Sequence, residues 1–152
     1  MSMGLLASEI MSKKVITARP DTGLRELAEL LVLNNIGGMP VVDEEGELVG
    51  VVSQSDLIAQ NILPHVPKAV SLFDWVIYLG GQGRLEAELE KIAGTTVGDI
   101  MTREVITVDA STPLEDVATI MTEKGIHTIP VLEEGRLAGV IGKLDIVRSL
   151  LT

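Results

Sequence analysis

The chain has 152 residues, enough for a domain that buries its own core without help from a metal or a disulfide. It holds no cysteine, which excludes disulfides and thiolate metal sites, and only two histidines, His65 and His127, which argues against a histidine-rich metal centre. A net charge of −10 repels a phosphate backbone and speaks against nucleic-acid binding, and 46% hydrophobic residues with only 2% aromatics require an aliphatic core.

The N-terminal run (Met1 to Lys14) is briefly apolar but has no basic leader, and no stretch of the chain is long and apolar enough for a membrane span. A soluble cytoplasmic protein without membrane insertion is expected. The first predicted strand is Val15–Thr17. A helix follows, with Leu24, Leu27, Ala28 and Leu31 at helical spacing and Thr22 as its starting residue. Two strands come next, Met39–Asp43 and Leu48–Ser53, joined by the acidic turn Glu44-Glu45-Gly46. A further helix is expected to begin at Ser53.

The segment 59–96 reads as a linker. It contains Pro64 and Pro67, all three aromatics (Phe73, Trp75, Tyr78), a glycine-rich break at Gly80-Gly81-Gln82-Gly83 and a charged helical stretch, Arg84–Ala93. Its apolar part suits either a cover for the core edge or an association surface.

After the linker the first pattern returns. Residues Ile10–Asp56 align with Ile100–Asp145: Ile10-Met11 with Ile100-Met101, Val15-Ile16-Thr17 with Val105-Ile106-Thr107, Pro40-Val41 with Pro130-Val131, and Gly50-Val51 with Gly139-Val140. The second copy predicts a strand at Val105–Val108 and a helix carrying Leu114, Val117, Ala118 and Met121, started by Thr112 with Pro113 in its first turn. Strands Ile129–Glu133 and Leu137–Ile141 follow, and a last helix starts at Gly142. The order is β-α-β-β-α, twice. The expected organisation is one α/β module over 1–152, with repeats at 8–58 and 97–152. One unit cannot bury both faces of its sheet; two packed about a pseudo-twofold axis can, leaving a cleft between them.

The repeated unit resembles the cystathionine-β-synthase (CBS) domain. The resemblance is carried by Glu9-Ile10-Met11 and Asp99-Ile100-Met101, by the two Val-Ile-Thr runs, by Ile36 to Val41 and Ile126 to Val131, and by Gly50-Val51-Val52-Ser53-Gln54-Ser55-Asp56 with its counterpart Gly139 to Asp145. It covers nearly all of the chain outside the linker. It implies a pair of repeats of the Bateman-module kind, a homodimer, and clefts that bind AMP, ADP, ATP or S-adenosylmethionine. The implied role is non-catalytic: to report adenylate level to an unidentified regulated protein on a separate chain. A dimerising scaffold without a physiological ligand is the alternative. No nucleophile–base pair, metal cluster or Walker-type loop points to an enzyme.

The resemblance assigns Asp56 to the ribose hydroxyls, which suits an acceptor-only carboxylate, and Ser53 with the nearby helix-start amides to a phosphate. Read locally, Ser53 and Asp56 are equally a helix capping pair. The second copy keeps Asp145 but has Gly142 for the serine, with Lys143 beside it, so the Asp56 position is expected to be the better nucleotide site. Further candidates in the first repeat are Ile16, Thr17, Arg19, Gly38, Met39, Pro40 and Ser55. In the second they are Ile106, Thr107, His127, Thr128, Ile129 and Pro130. Val41 and Val131 are candidate apolar walls, and Lys13, Lys14 and Arg103 candidate phosphate contacts. No metal is required.

Overall fold

The computed structural model describes residues 4–59 and 95–151. The expectations for the aromatic linker fall outside them. In chain order the elements are α1 (Ala7–Ile10), α2 (Leu24–Leu33), β1 (Gly38–Val42), β2 (Leu48–Ser53) and α3 (Gln54–Ile58). The second repeat supplies α4 (Val97–Ile100), β3 (Val108–Asp109), α5 (Leu114–Lys124), β4 (Thr128–Glu133), β5 (Arg136–Gly142) and α6 (Lys143–Ser149). The two hairpins, β1–β2 and β4–β5, are antiparallel, and each is bulged at the equivalent place, between Val41 and Val42 and between Val131 and Leu132. The hairpin strands match expectation to within one residue at each end.

Two features differ from the sequence reading. The leading strand lies later than expected. In the second repeat only Val108–Asp109 pair, in parallel, with Val131–Leu132, and in the first a single parallel bridge joins Ala18 to Val41. The Val-Ile-Thr runs lie ahead of these pairs. The starting residues of the long helices also shift. Gly23 and Pro113 occupy the N-caps, because the threonine hydroxyls are used one turn earlier. Thr22 Oγ1 accepts from the Arg19 N–H at 2.9 Å, and Thr112 Oγ1 from the Asp109 N–H at 3.0 Å. The helix faces themselves follow the 3.6-residue period: Leu24, Leu27, Ala28 and Leu31 of α2 are all buried. α5 ends in the left-handed conformation at Gly125 (φ 64°), which a side chain would strain.

The two repeats exchange their N-terminal arms. Ser12 of the first repeat pairs with Val140 of β5, and Thr102 of the second pairs with Val51 of β2. Leu6 bridges to Pro113, and Gly23 to Thr96. The cores follow the exchange. One contains α2, β1 and β2 together with Val97 and Met101 from the second repeat; the other contains α5, β4 and β5 together with Ala7 from the first, with Ile10 and Met11 packed against it. The mirrored bridges define the pseudo-twofold relation between the repeats.

Candidate functional site

β2 runs directly into α3 at Ser53, whose extended backbone (φ −138°, ψ 172°) places it at the helix N-cap. The Asp56 carboxylate accepts from the Ser53 N–H at 2.8 Å and from the Ser53 hydroxyl at 3.2 Å, while the Asp56 N–H reaches Ser53 Oγ at 3.4 Å. The capping reading of this pair is therefore realised in the fold. One Asp56 oxygen receives both Ser53 bonds, and Ser55 stands exposed beside it.

This helix start forms one wall of a cavity of about 210 Å³. The opposite walls come from the second repeat: Thr102, Glu104 and Ile106 from its arm, and Gly125 to Thr128 from the loop into β4. Val51, Ser53, Ser55 and Asp56 complete it. Its lining thus joins hydrogen-bond acceptors and hydroxyls with two isoleucines, a combination that fits a molecule with a polar sugar and an apolar, planar base.

The arm divides its side chains between two pockets. Thr102, Glu104 and Ile106 face this cavity, while Arg103, Val105 and Thr107 line a second, open pocket of about 740 Å³ with the turn residues Glu45, Glu47 and Arg136. Arg103 also donates from Nη2 to the Gly98 carbonyl at 3.1 Å.

Of the residues singled out in the sequence, the cavity brings together Ser53, Ser55, Asp56, Ile106, His127 and Thr128. The others lie elsewhere. Met39, Val41, Ile129 and Val131 are fully buried in the cores, and Pro40 and Pro130 are buried with them. Gly38 sits where the repeats touch; a Cβ there would stand 2.9 Å from the Val52 carbonyl and 3.0 Å from Thr128 Oγ1. Ile16 packs against the first core, Thr17 is half-buried next to it, and Arg19 is exposed at the turn before α2. Lys143 borders a third pocket of about 400 Å³ that shares Gly125, Ile126 and His127 with the first.

Asp145 repeats only part of the Asp56 arrangement. It accepts from the Gly142 N–H at 2.7 Å, but glycine offers no hydroxyl, and its other oxygen lies 3.3 Å from Arg148 Nη1. Thr102, Glu104 and Gly125 were not singled out from the sequence. No local sequence pattern marks the first two, because their arm reaches the cavity by crossing to the other repeat. Among the described residues no group of three His, Cys, Asp or Glu side chains is placed to hold a metal, and no helix is long and apolar enough to cross a membrane.

The pattern of the CBS domain matches residues 7–61 and 97–152. The Arabidopsis thaliana protein CBSX1, a chloroplastic CBS-domain protein, is 36% identical over 157 residues, covering 94% of this chain and 63% of its own length. The chain spans 63% and 57% of CBSX1 and its relative CBSX2, the curated relatives it matches first. The crystal structure of CBSX2 in complex with AMP superposes with a TM-score of 0.71 at 30% identity, covering 97% of each chain. The CBS domain pair of protein MJ0100, in complex with 5′-methylthioadenosine and S-adenosyl-L-methionine, superposes with a TM-score of 0.69 at 28% identity, covering 96% of this chain and 95% of that one.

Proposed function

The chain belongs to the CBS-domain family, and on that premise we propose that it is a non-catalytic regulatory module that binds an adenosine-containing ligand between its repeats and signals to a separate protein. The observation that carries the reading is the composition of the cavity. Ser53, Ser55 and Asp56 come from one repeat, and Ile106, His127 and Thr128 from the other. A ligand there contacts both repeats at once, so its binding energy depends on how they are set against each other. A ligand shifts such an equilibrium only by its differential affinity for the two arrangements, and a site built from both halves provides that difference. AMP in CBSX2 and 5′-methylthioadenosine and S-adenosyl-L-methionine in the MJ0100 pair support an adenosyl group as the shared element. Asp56 is assigned to the ribose hydroxyls and Ile106 and Ile126 to the base.

The module is further proposed to act as a homodimer. Leu144, Val147 and Leu151 recur at helical spacing on and just beyond α6 and are 58%, 56% and 85% exposed, an apolar stripe that a lone copy leaves in water. Sedimentation of the wild type and of Val147→Glu tests this, with a dimer expected for the first and a monomer for the second.

Calorimetric titration of AMP, ATP, S-adenosyl-L-methionine and 5′-methylthioadenosine tests the ligand reading. At least one compound is expected to bind, with a loss in Asp56→Ala. Absence of binding by all four would leave a dimerising scaffold as the function.

A further inference from the structure

The Asp56 cavity and the equivalent position around Asp145, related by the pseudo-twofold axis, differ in charge. The Asp56 cavity is lined by two carboxylates, Asp56 and Glu104, and by His127; none of its described lining residues is a lysine or arginine. Glu104 is an exposed side chain on the cavity wall rather than a group engaged in the core. The exchanged arms allow the mirror position to be read residue by residue. The bridge Thr102–Val51 sets Glu104 beside β2, and the mirrored bridge Ser12–Val140 sets Lys14 in the same relation to β5. One further cation lies near Asp145: Arg148, 3.3 Å away, stands where the first repeat has Ala59.

Resting on the reading above that these positions take adenosyl compounds, we propose that the Asp56 cavity selects one whose 5′ end is cationic or neutral, and the Asp145 position one whose 5′ end is phosphorylated. A carboxylate at the position of Glu104 attracts an ammonium or sulfonium and repels a phosphate, and a lysine at the position of Lys14 does the reverse. Asp56 serves the ribose in the first position and Asp145 in the second. The advantage expected of the Asp56 position then applies to ligands without phosphate, and the order reverses for nucleotides. A chain with two such positions responds to two classes of adenosyl metabolite through a single inter-repeat arrangement.

The test is calorimetric titration of the full chain with S-adenosyl-L-methionine (cationic), 5′-methylthioadenosine (neutral) and AMP (anionic). Glu104→Gln is expected to weaken S-adenosyl-L-methionine about two- to fivefold, the range of an exposed ion pair, and to leave 5′-methylthioadenosine unchanged. Lys14→Glu is expected to weaken AMP by a similar factor, and Asp56→Ala to abolish S-adenosyl-L-methionine binding while AMP is retained. Both charge variants alter exposed side chains, and an unchanged thermal midpoint verifies that they fold. If Glu104→Gln moves all three compounds equally, or if Asp56→Ala loses AMP and keeps S-adenosyl-L-methionine, the charge assignment is overturned while the adenosyl reading stands. If no compound binds the wild type, both fall together.

Discussion

At the scale of single residues, the two helix starts that follow the hairpins show what one hydroxyl adds. Ser53 satisfies a helix amide with its side chain, and Asp56 returns a bond to the Ser53 N–H. At Gly142 only the Asp145 half of this reciprocal arrangement forms. Its backbone (φ −105°, ψ 169°) is open to any residue, and a Cβ would meet nothing closer than 3.7 Å. Gly142→Ser is therefore expected to raise stability by a few tenths of a kcal/mol, and Ser53→Ala to lower it by about 1 kcal/mol, both read from urea unfolding midpoints. The start of α4 uses its carboxylate twice. The Asp99 carboxylate accepts from the Thr96 N–H at 2.8 Å and its hydroxyl at 3.1 Å, and these bonds hold its pKa below the ordinary 3.8. A depressed carboxylate contributes stability above its unfolded pKa and loses it as pH falls through the folded one. Wild type is thus expected to lose part of its stability below about pH 4. Asp99→Asn removes that share of the acid dependence, and unfolding midpoints compared at pH 6 and pH 3 measure the difference.

At the scale of elements, the arms dictate where glycine is needed. Gly50 of β2 lies under Met101 and Thr102 of the second repeat, and Gly139 of β5 lies under Met11 and Ser12 of the first. A Cβ on Gly139 would stand 2.7 Å from Met11 Cγ and 2.9 Å from the Ser12 carbonyl. The side chain can yield, but the carbonyl is held by its bridge to Val140, whose N–H donates to it at 3.1 Å. Gly139→Ala is expected to cost about 1–3 kcal/mol, the range of an overpacked core, with Gly50→Ala costing no more because its contacts are slightly longer. Denaturant unfolding of the two variants gives the comparison. These glycines also mark the limit of what the sequence made legible. The faces of α2 and α5, the four hairpin strands and the Ser53–Asp56 pair could be read because each is written in local periodicity or in a three-residue spacing. The arm exchange could not. It rests on bridges of one residue each between segments far apart in the chain, such as Ser12 with Val140 and Val51 with Thr102. The helices α1 and α4 are a single turn long, too short to show a period. Glu104 escaped for the same reason: it belongs to the cavity only because its arm crosses to the other repeat.

At the scale of the molecule, the exchange makes each core a joint product. Val97 and Met101 are 0% and 8% exposed in the first core, and Ala7 is 0% exposed in the second, so neither repeat closes its interior with its own residues. Damage to one arm must therefore appear in the other repeat. Ala7→Asp places a carboxylate in the second core, where no described charge awaits it, and is expected to lower hydrogen-exchange protection in β4 and β5 before β1 and β2. If protection fell first in the first repeat, to which Ala7 belongs in sequence, the arm would be contributing little to the core it enters. The same joint construction predicts one cooperative transition for the described core, with equal calorimetric and van't Hoff enthalpies. It also supplies the route by which a ligand acts. The arm that buries Met101 in the first core continues into Thr102, Glu104 and Ile106 on the cavity wall, so a ligand held there presses on the segment that joins the two cores. An adenosyl compound that protects β1 and β4 together in exchange experiments, although Met39 and Ile129 within them are fully buried and out of its reach, would show that coupling directly.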